Sequence, residues 1–368
     1  MRIALRELIR RPSRFVAAAV ILTLIATLLM FIGGLLDGLV DSSTGAYRAQ
    51  PGQLLAYSST ASRSLPRSRI PVNLEDRVSA VEGVRAVGGL ATTQVAARRS
   101  SGPDSRDLIP TVLIGYDLAP RGAQPDLPGP GEVIADSTLR AKGVDVGDSL
   151  LLGPPRTPVK VVGFVDDSRY AGQISLWSSL DTWNSVTETI RPGAADPDLV
   201  QALVIKTSGS DESLIQRIES ATDGQLEVLT IPQAIDSLPG VSTQRSTINQ
   251  IIGVTVVIAI VVIALFFALI TIERTALYGV LKAIGASSAS LFVGVTAQAV
   301  AVTLVASAIA TALAVLLAVT IPPGTLPYSL TAGRIAFSIG LLLFAAVLGC
   351  VFSLRRVLRI DPATAIGG

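Results

Sequence analysis

Histidine is absent from the 368 residues, and cysteine occurs once, as Cys350. The first absence excludes imidazole acid–base catalysis and histidine-ligated metal centres. The second excludes a disulfide within the chain. The sequence also lacks a Gly-Lys dipeptide, so the phosphate-cradling GxxxxGK[ST] loop of an ATP-hydrolysing subunit is missing. Charge is scarce, at 16% Asp, Glu, Lys and Arg, where soluble proteins carry about 25%.

The scarce charge is unevenly placed. Phe15 to Leu36, Ser246 to Ile272, Ala283 to Gly333 and Ile335 to Leu354 contain none at all. About 20 apolar residues at 1.5 Å each cross the hydrocarbon core of a bilayer. Windows one, two and four therefore hold one span each. Pro322-Pro323 and Pro327 break the distal part of the third, which leaves one helix from about Leu291 to Thr320. The expected fold is four transmembrane helices, with an α+β extracytoplasmic domain inserted between the first two. The first window is too long for a signal-peptide core and is followed by no small-x-small cleavage site, so it is expected to stay as an anchor.

The stretch between spans one and two is different material: Asp37 to Arg245 holds 25 of the 28 acidic residues but 19 of the 30 basic ones. Ten of the other eleven basic residues fall in Met1 to Arg14, Glu273 to Lys282 and Arg355 to Gly368. Short loops rich in Lys and Arg stay cytoplasmic, and these three segments alternate correctly around four spans. Both termini are then expected inside and the large domain outside, in a multi-pass protein of the inner or plasma membrane. Arg334 is the exception, in the short outer loop. The expected division is a cytoplasmic amphipathic segment 1–13, spans 14–36, 246–272, 291–320 and 335–354, the outer domain 37–245, a cytoplasmic loop 273–290, an outer loop 321–334 and a cytoplasmic tail 355–368. Arg2, Arg6 and Arg10 at helical spacing suit the first segment to an anionic inner leaflet.

Within the inserted segment, runs of Val, Ile and Leu bounded by Gly, Pro or Asp predict strands at Val84 to Ala97, Leu108 to Ile114, Glu132 to Ile134, Val159 to Val165 and Ala202 to Lys206. Helical spacing predicts helices at Leu74 to Val81, capped by Asn73, and Glu212 to Ala221, capped by Ser210. Ser168 is read as an accessible surface position. In spans three and four, Ala306, Ala310, Ala314 and Ala318, and Ala345, Gly349 and Ser353, form small-residue ladders for close helix approach. Gly34 and Gly38 are assigned to a subunit interface.

The series Gly131-Glu132-Val133-Ile134-Ala135-Asp136, a short helix, Gly147-Asp148 and Val161-Val162-Gly163 resembles the outer domain of FtsX/MacB-type ABC permeases. Ile272-Glu273-Arg274 through Gly279-Val280-Leu281-Lys282-Ala283-Ile284-Gly285-Ala286-Ser287 is similar to that family's ER…G.LKAIGAS loop, and Asp361-Pro362-Ala363-Thr364-Ala365-Ile366 to its C-terminal ending. Leu277-Tyr278 departs from the pattern, where many members carry an acidic residue and Ile. The likeness extends over nearly the whole chain.

Read from the residues, Glu273 and Arg274 lie at a membrane surface, and Leu277, Leu281 and Ile284 share an apolar face from which Lys282 turns away. Gly285 can end that helix, and Ser287-Ser288 can cap the next span. Such a helix suits a groove on a partner, and it equally suits lipid headgroups; the resemblance favours the partner. It implies an ATPase-coupling role for Glu273, Arg274, Leu277, Leu281, Lys282, Ile284 and Gly285. It further implies a non-catalytic permease, a homodimer driven by a separate ABC ATPase, expected in two copies, with ATP and Mg in that partner and no cofactor in this chain. The lipid bilayer is the other expected partner, and no nucleic acid is.

Ion-coupled carriers bury charged relays in their spans, and none exists here. The resemblance, which extends to the haem- and glycolipid-exporting branches of that family, implies export or extraction of an amphiphile, haem or lipid-like. Haem could be ligated only by Met, Tyr, Cys or carboxylate, which makes Met30 and Tyr47 the substrate-binding candidates, with plain packing the alternative for Met30. Two other readings stand beside export: mechanotransmission to an envelope protein without transport, and sensing of antimicrobial peptides.

Overall fold

The computed structural model describes residues 13–100, 107–123, 126–209, 211–238, 240–273, 280, 284, 287–321 and 326–357. The chain folds as two compact units: residues 1–38, 245–322 and 328–368, and residues 39–244 with 323–327.

The first helix, α1 (Ser13–Arg48), continues twelve residues past the uncharged window that announced it. Its last turns belong to the inserted unit. There the N–H groups of Ala171 and Gly172 donate to the carbonyls of Ser43 and Ser42, both at 3.0 Å, and the N–H of Ala46 donates to the carbonyl of Arg169 at 2.9 Å. The helix end is thus capped by backbone of a distant loop, which satisfies carbonyls that would otherwise be orphaned. Gly45 permits the approach: a Cβ there would lie 2.6 Å from the Asp167 carbonyl oxygen. Arg48 adds a bidentate pair with Asp167, both oxygens at 2.8 Å.

The inserted domain then runs β1 (Leu54–Ser58), β2 (Ile70–Pro71), α2 (Asn73–Ser79), β3 (Val84–Arg99), β4 (Ile109–Tyr116), β5 (Glu132–Asp136), a 3₁₀ turn (Ser137–Lys142), β6 (Ser149–Leu152), β7 (Thr157–Val165), β8 (Ile174–Ser179), α3 (Leu180–Ile190), β9 (Leu199–Val200), β10 (Ala202–Thr207), α4 (Glu212–Ala221), β11 (Leu226–Thr230) and α5 (Ile231–Asp236). Nine strands form one sheet in the order β11-β1-β10-β3-β4-β8-β5-β7-β6, and β6 also pairs with β3. Strands β3, β4, β8, β5, β7 and β6 therefore close into a ring. The length of β3 makes this work. Val84 to Leu90 pairs with β10, Leu90 to Ala97 with β4, and Ala97 to Arg99 with β6. Closure removes the edge that β6 would otherwise offer for aggregation, and β11 remains as an edge strand of the sheet.

Inside the ring lie Ala91, Leu113, Val133, Leu139, Leu150, Val161 and Leu176, all essentially inaccessible. On the other side, α2 and α4 cover β1, β10 and β11 with Leu74, Val78, Ile215 and Ile218. Two helix starts have a clear chemical reason. Ser179 accepts from the N–H of Thr182 at α3, and Thr230 and Gln233 form a reciprocal capping box at α5. The two caps expected from sequence do not hold. The first residue of α2 is Asn73 itself, with Val72 in the cap position and no side-chain bond. At α4 the cap position is Asp211, again without a side-chain bond, and Ser210 lies outside the described residues.

Beyond the insert, α6 (Val241–Glu273), α7 (Ser288–Thr320) and α8 (Ala332–Val357) complete the chain. Together with α1 they are the four transmembrane helices, long and apolar over Phe15–Arg48, Thr243–Ile270, Phe292–Thr320 and Ala332–Val351. They bury small residues against large ones: Ala26 and Met30 of α1, Ile263 and Phe267 of α6, Ala306 and Ala310 of α7, and Ala345 of α8 share one core. Leu24, Leu265, Leu269, Leu316 and Phe344 instead stay exposed, as a lipid-facing surface requires. Thr23, Thr255 and Thr311 return their hydroxyls to the carbonyl one turn back, so no polar group of theirs is left bare.

The ladders act inside the chain. Ala306, Ala310 and Ala314 are buried, and a Cβ on Gly349 would meet Ile263 at 2.8 Å. Gly34, assigned above to a subunit interface, is covered within its own chain. A Cβ there would lie 2.5 Å from the Tyr328 ring, and its carbonyl accepts from the N–H of Ser329 at 2.9 Å.

Candidate functional site

The segment joining α6 to α7 was expected to carry coupling. Glu273 is the last residue of α6 and is exposed. Val280 and Ile284 are one helical turn apart, the N–H of Ile284 donating to the carbonyl of Val280 at 3.1 Å. Their side chains are 53% and 76% exposed. An apolar pair this open has an apolar face to offer to lipid or to a protein. Arg274, Leu277, Leu281, Lys282 and Gly285 lie outside the described residues. Ser287 caps α7 as expected, accepting from the N–H of Ser290 at 3.2 Å.

Met30 is fully buried in the helical unit, and its sulfur receives the Thr311 hydroxyl at 3.7 Å. A role as ligand requires that sulfur to leave its packing. Tyr47 belongs to the other unit. It is 2% exposed, stacks on Tyr170 at 5.8 Å between ring centroids, and accepts from the Tyr57 hydroxyl at 3.4 Å. The two candidates thus fall in different cores. Burial pushes the phenols of Tyr57 and Tyr170 above the ordinary range, so both stay neutral as hydrogen-bonding groups at physiological pH. Tyr170 also walls a cleft of about 550 Å³ together with Leu65, Pro66, Leu238 and Val241.

Two features escaped the sequence reading. Arg334, the exception to the charge rule, donates from Nε to Asp37 at 2.8 Å and closes a second bond through Nη2. Its side chain is 16% exposed and would crowd any Cβ at Gly33. The signal was present: Asp37 ends the first uncharged window and Arg334 divides the third from the fourth. Asp136, at the end of β5, is buried and accepts from the backbone and hydroxyl of both Thr138 and Ser168, at 2.6 to 3.1 Å. Ser168 is consequently inaccessible, contrary to the expectation, because its hydroxyl is consumed by Asp136 and Ser175. Among the described residues no cluster of His, Cys, Asp and Glu suits a metal ion.

Residues 249–362 match the family described as FtsX-like permease C-terminal. The chain is 20% identical, over 100% of its length and 99% of the relative's, to the protein named putative hemin transport system permease protein HrtB of Staphylococcus haemolyticus. It is 27% identical, over 99% of both chains, to the uncharacterized ABC transporter permease Rv2563 of Mycobacterium tuberculosis. The periplasmic region of MacB from Actinobacillus actinomycetemcomitans is a solved structure with a TM-score of 0.36 and 12% identity, covering 52% of this chain and 96% of that one. The matched permease segment spans the loop and the last three helices, and the relatives run from end to end. The last three helices thus carry a segment that matches the FtsX-like permease family, the chain is similar from end to end to ABC transporter permeases, and its four long apolar helices make it a multi-pass membrane protein.

Proposed function

We propose that this permease works as a homodimer with two copies of a separate ATPase, which holds the ATP and Mg, and that it exports or extracts an amphiphile, haem or lipid-like. The termini and the α6–α7 loop face the cytosol and the inserted domain faces outward. This orientation is supported by ten of the eleven basic residues outside the insert lying in the terminal segments and that loop. The observation that carries the coupling reading is the exposed apolar turn of Val280 and Ile284, inside the matched permease segment. Docked in a groove on the ATPase, that turn transmits the partner's motion to the two helices it joins. The substrate reading is supported by the full-length likeness to proteins named for hemin transport.

The test is reconstitution with the cognate ATPase in nanodiscs. Hemin is expected to stimulate hydrolysis, and Ile284→Asp or Gly285→Leu to abolish the stimulation while tryptophan fluorescence shows the inserted domain folded. Normal stimulation in both variants removes the loop from the mechanism. Stimulation by an envelope protein and by no amphiphile replaces export with mechanotransmission.

A further inference from the structure

Three concavities of about 550, 260 and 560 Å³ lie along β3 in the inserted domain. Pro66, Gln94 and Tyr170 belong to the first and second, and Gln94 and Arg191 to the second and third. They are one groove, and their volumes suit small ligands.

Its charge is of one sign. Arg63, Arg69, Arg98, Arg156 and Arg191 line it, and among the described residues no Asp or Glu does. The surrounding segment is richer in acidic than in basic residues, so the bias is local. Arg63 is engaged by Glu227 at 2.7 Å, and Arg69 donates to the carbonyls of Pro66 and Ser68. Among the described residues, Arg98, Arg156 and Arg191 meet no carboxylate. A cleft lined by one sign of charge concentrates ligands of the other, and guanidinium forks match acidic oxygens.

An independent observation points the same way. Trp183, on the wall of the middle concavity, is 4% exposed, and its indole N–H has no partner among the described residues. Buried donors are almost always satisfied; a ligand oxygen would satisfy this one. At the other end of the groove the lining turns apolar, with Leu65, Pro66, Leu238 and Val241 around the Tyr170 ring.

We propose that this groove binds an amphiphile with an anionic head group, its acidic oxygens held by Arg69, Arg191 and the Trp183 N–H and its apolar body laid toward Tyr170 and Val241. This deepens the amphiphile reading given above and rests on it. The groove gives that substrate class a sign of charge and a place on the inserted domain.

The test uses the full chain in phosphatidylcholine nanodiscs, without the ATPase. The probe is 2-bromododecanoate, whose bromine sits beside the carboxylate and quenches a tryptophan it touches. Saturable quenching is expected, lost in Trp183→Phe because the remaining Trp177 is in the core. Arg69→Gln/Arg191→Gln should weaken binding at least tenfold with an unchanged unfolding midpoint. Dodecanoate or dodecyl phosphate should displace the probe, and the tighter of the two identifies the head group as carboxylate or phosphate. Dodecyltrimethylammonium should not. Quenching that does not saturate, that survives the double substitution, or that the cationic amphiphile displaces equally well overturns the proposal. Because no ATPase is present, failure here leaves the coupling reading intact, and failure of hemin to stimulate hydrolysis leaves this binding measurable.

Discussion

Asp117, just past β4, accepts the N–H of Gly89 at 2.9 Å yet carries a raised pKa. Burial is the first cause and outweighs the Gly89 hydrogen bond, which lowers it, and the charge of Asp181 adds a smaller rise. Glu75 is raised by burial, then by Asp117 and Asp76. A folded-state pKa above the unfolded value means that the native state holds the proton more tightly. The inserted domain should therefore gain stability as pH falls through the raised values toward the ordinary 3.8 of an aspartate, and lose that gain above them. Asp117→Asn keeps an acceptor for Gly89 and removes the repulsion. Its unfolding midpoint should rise at pH 7, and the gain on acidification should shrink. Tryptophan fluorescence reads this cleanly, since the chain's two tryptophans, Trp177 and Trp183, both lie in the inserted domain. A lower midpoint for Asp117→Asn would show that the charged bond to Gly89 outweighs the repulsion. Gly45 gives a second residue-level prediction. An added Cβ would meet backbone on two sides, the Asp167 carbonyl at 2.6 Å and the Arg169 nitrogen at 2.9 Å. Gly45→Ala should cost about 1–3 kcal/mol, the range of overpacked sites, measured as a drop in the same midpoint.

Elements were legible where a pattern was local. The strands at β3, β4, β5, β7 and β10 follow Val- and Ile-rich runs, and α4 begins and ends where helical spacing placed it. The strand β8 was not read, because Ile174–Ser179 is buried on both sides and shows no alternation. The tail of α1 was not read as helix either. Asp41, Ser42, Ser43 and Thr44 look like a loop, and what keeps them helical is the capping loop at Asp167 to Gly172, more than a hundred residues away. The segment proposed for coupling stands out in the sequence as a motif, whereas the arginine groove does not, since its members are scattered from Arg63 to Arg191 and meet only through β3. The α7–α8 connection makes a prediction at this scale. Tyr328 covers Gly34 and stacks on Phe31 at 5.8 Å, while Arg334 grips Asp37. Asp37→Asn and Arg334→Gln should each destabilise the helical unit, and a double-mutant cycle should give a coupling of about 1–2 kcal/mol for this largely buried charged pair. Additive effects would reduce the pair to a bystander.

For the whole molecule, the decisive quantity is the side of the membrane on which each segment lies. Positive loops stay in the cytosol because translocating Lys and Arg is disfavoured. Here the asymmetry is large: outside the insert there are eleven basic residues against three acidic ones. An impermeant maleimide can read the result in intact cells, provided that the labelled positions are open to solvent. Ser168 is not, being buried on Asp136, so a failure to label there would say nothing about topology. Ser59, beyond β1, and Ala289, in the first turn of α7, are both exposed. In a Cys350→Ala background, which removes the single native thiol, Ser59→Cys should label in intact cells. Ala289→Cys should label only after the membrane is opened. Because the two positions are separated by a single span, α6, one orientation of the chain demands opposite results from them. The reverse pattern would place the exposed Val280 and Ile284 outside, where no ATP-hydrolysing partner could push on them, and would withdraw the coupling mechanism whatever the groove binds.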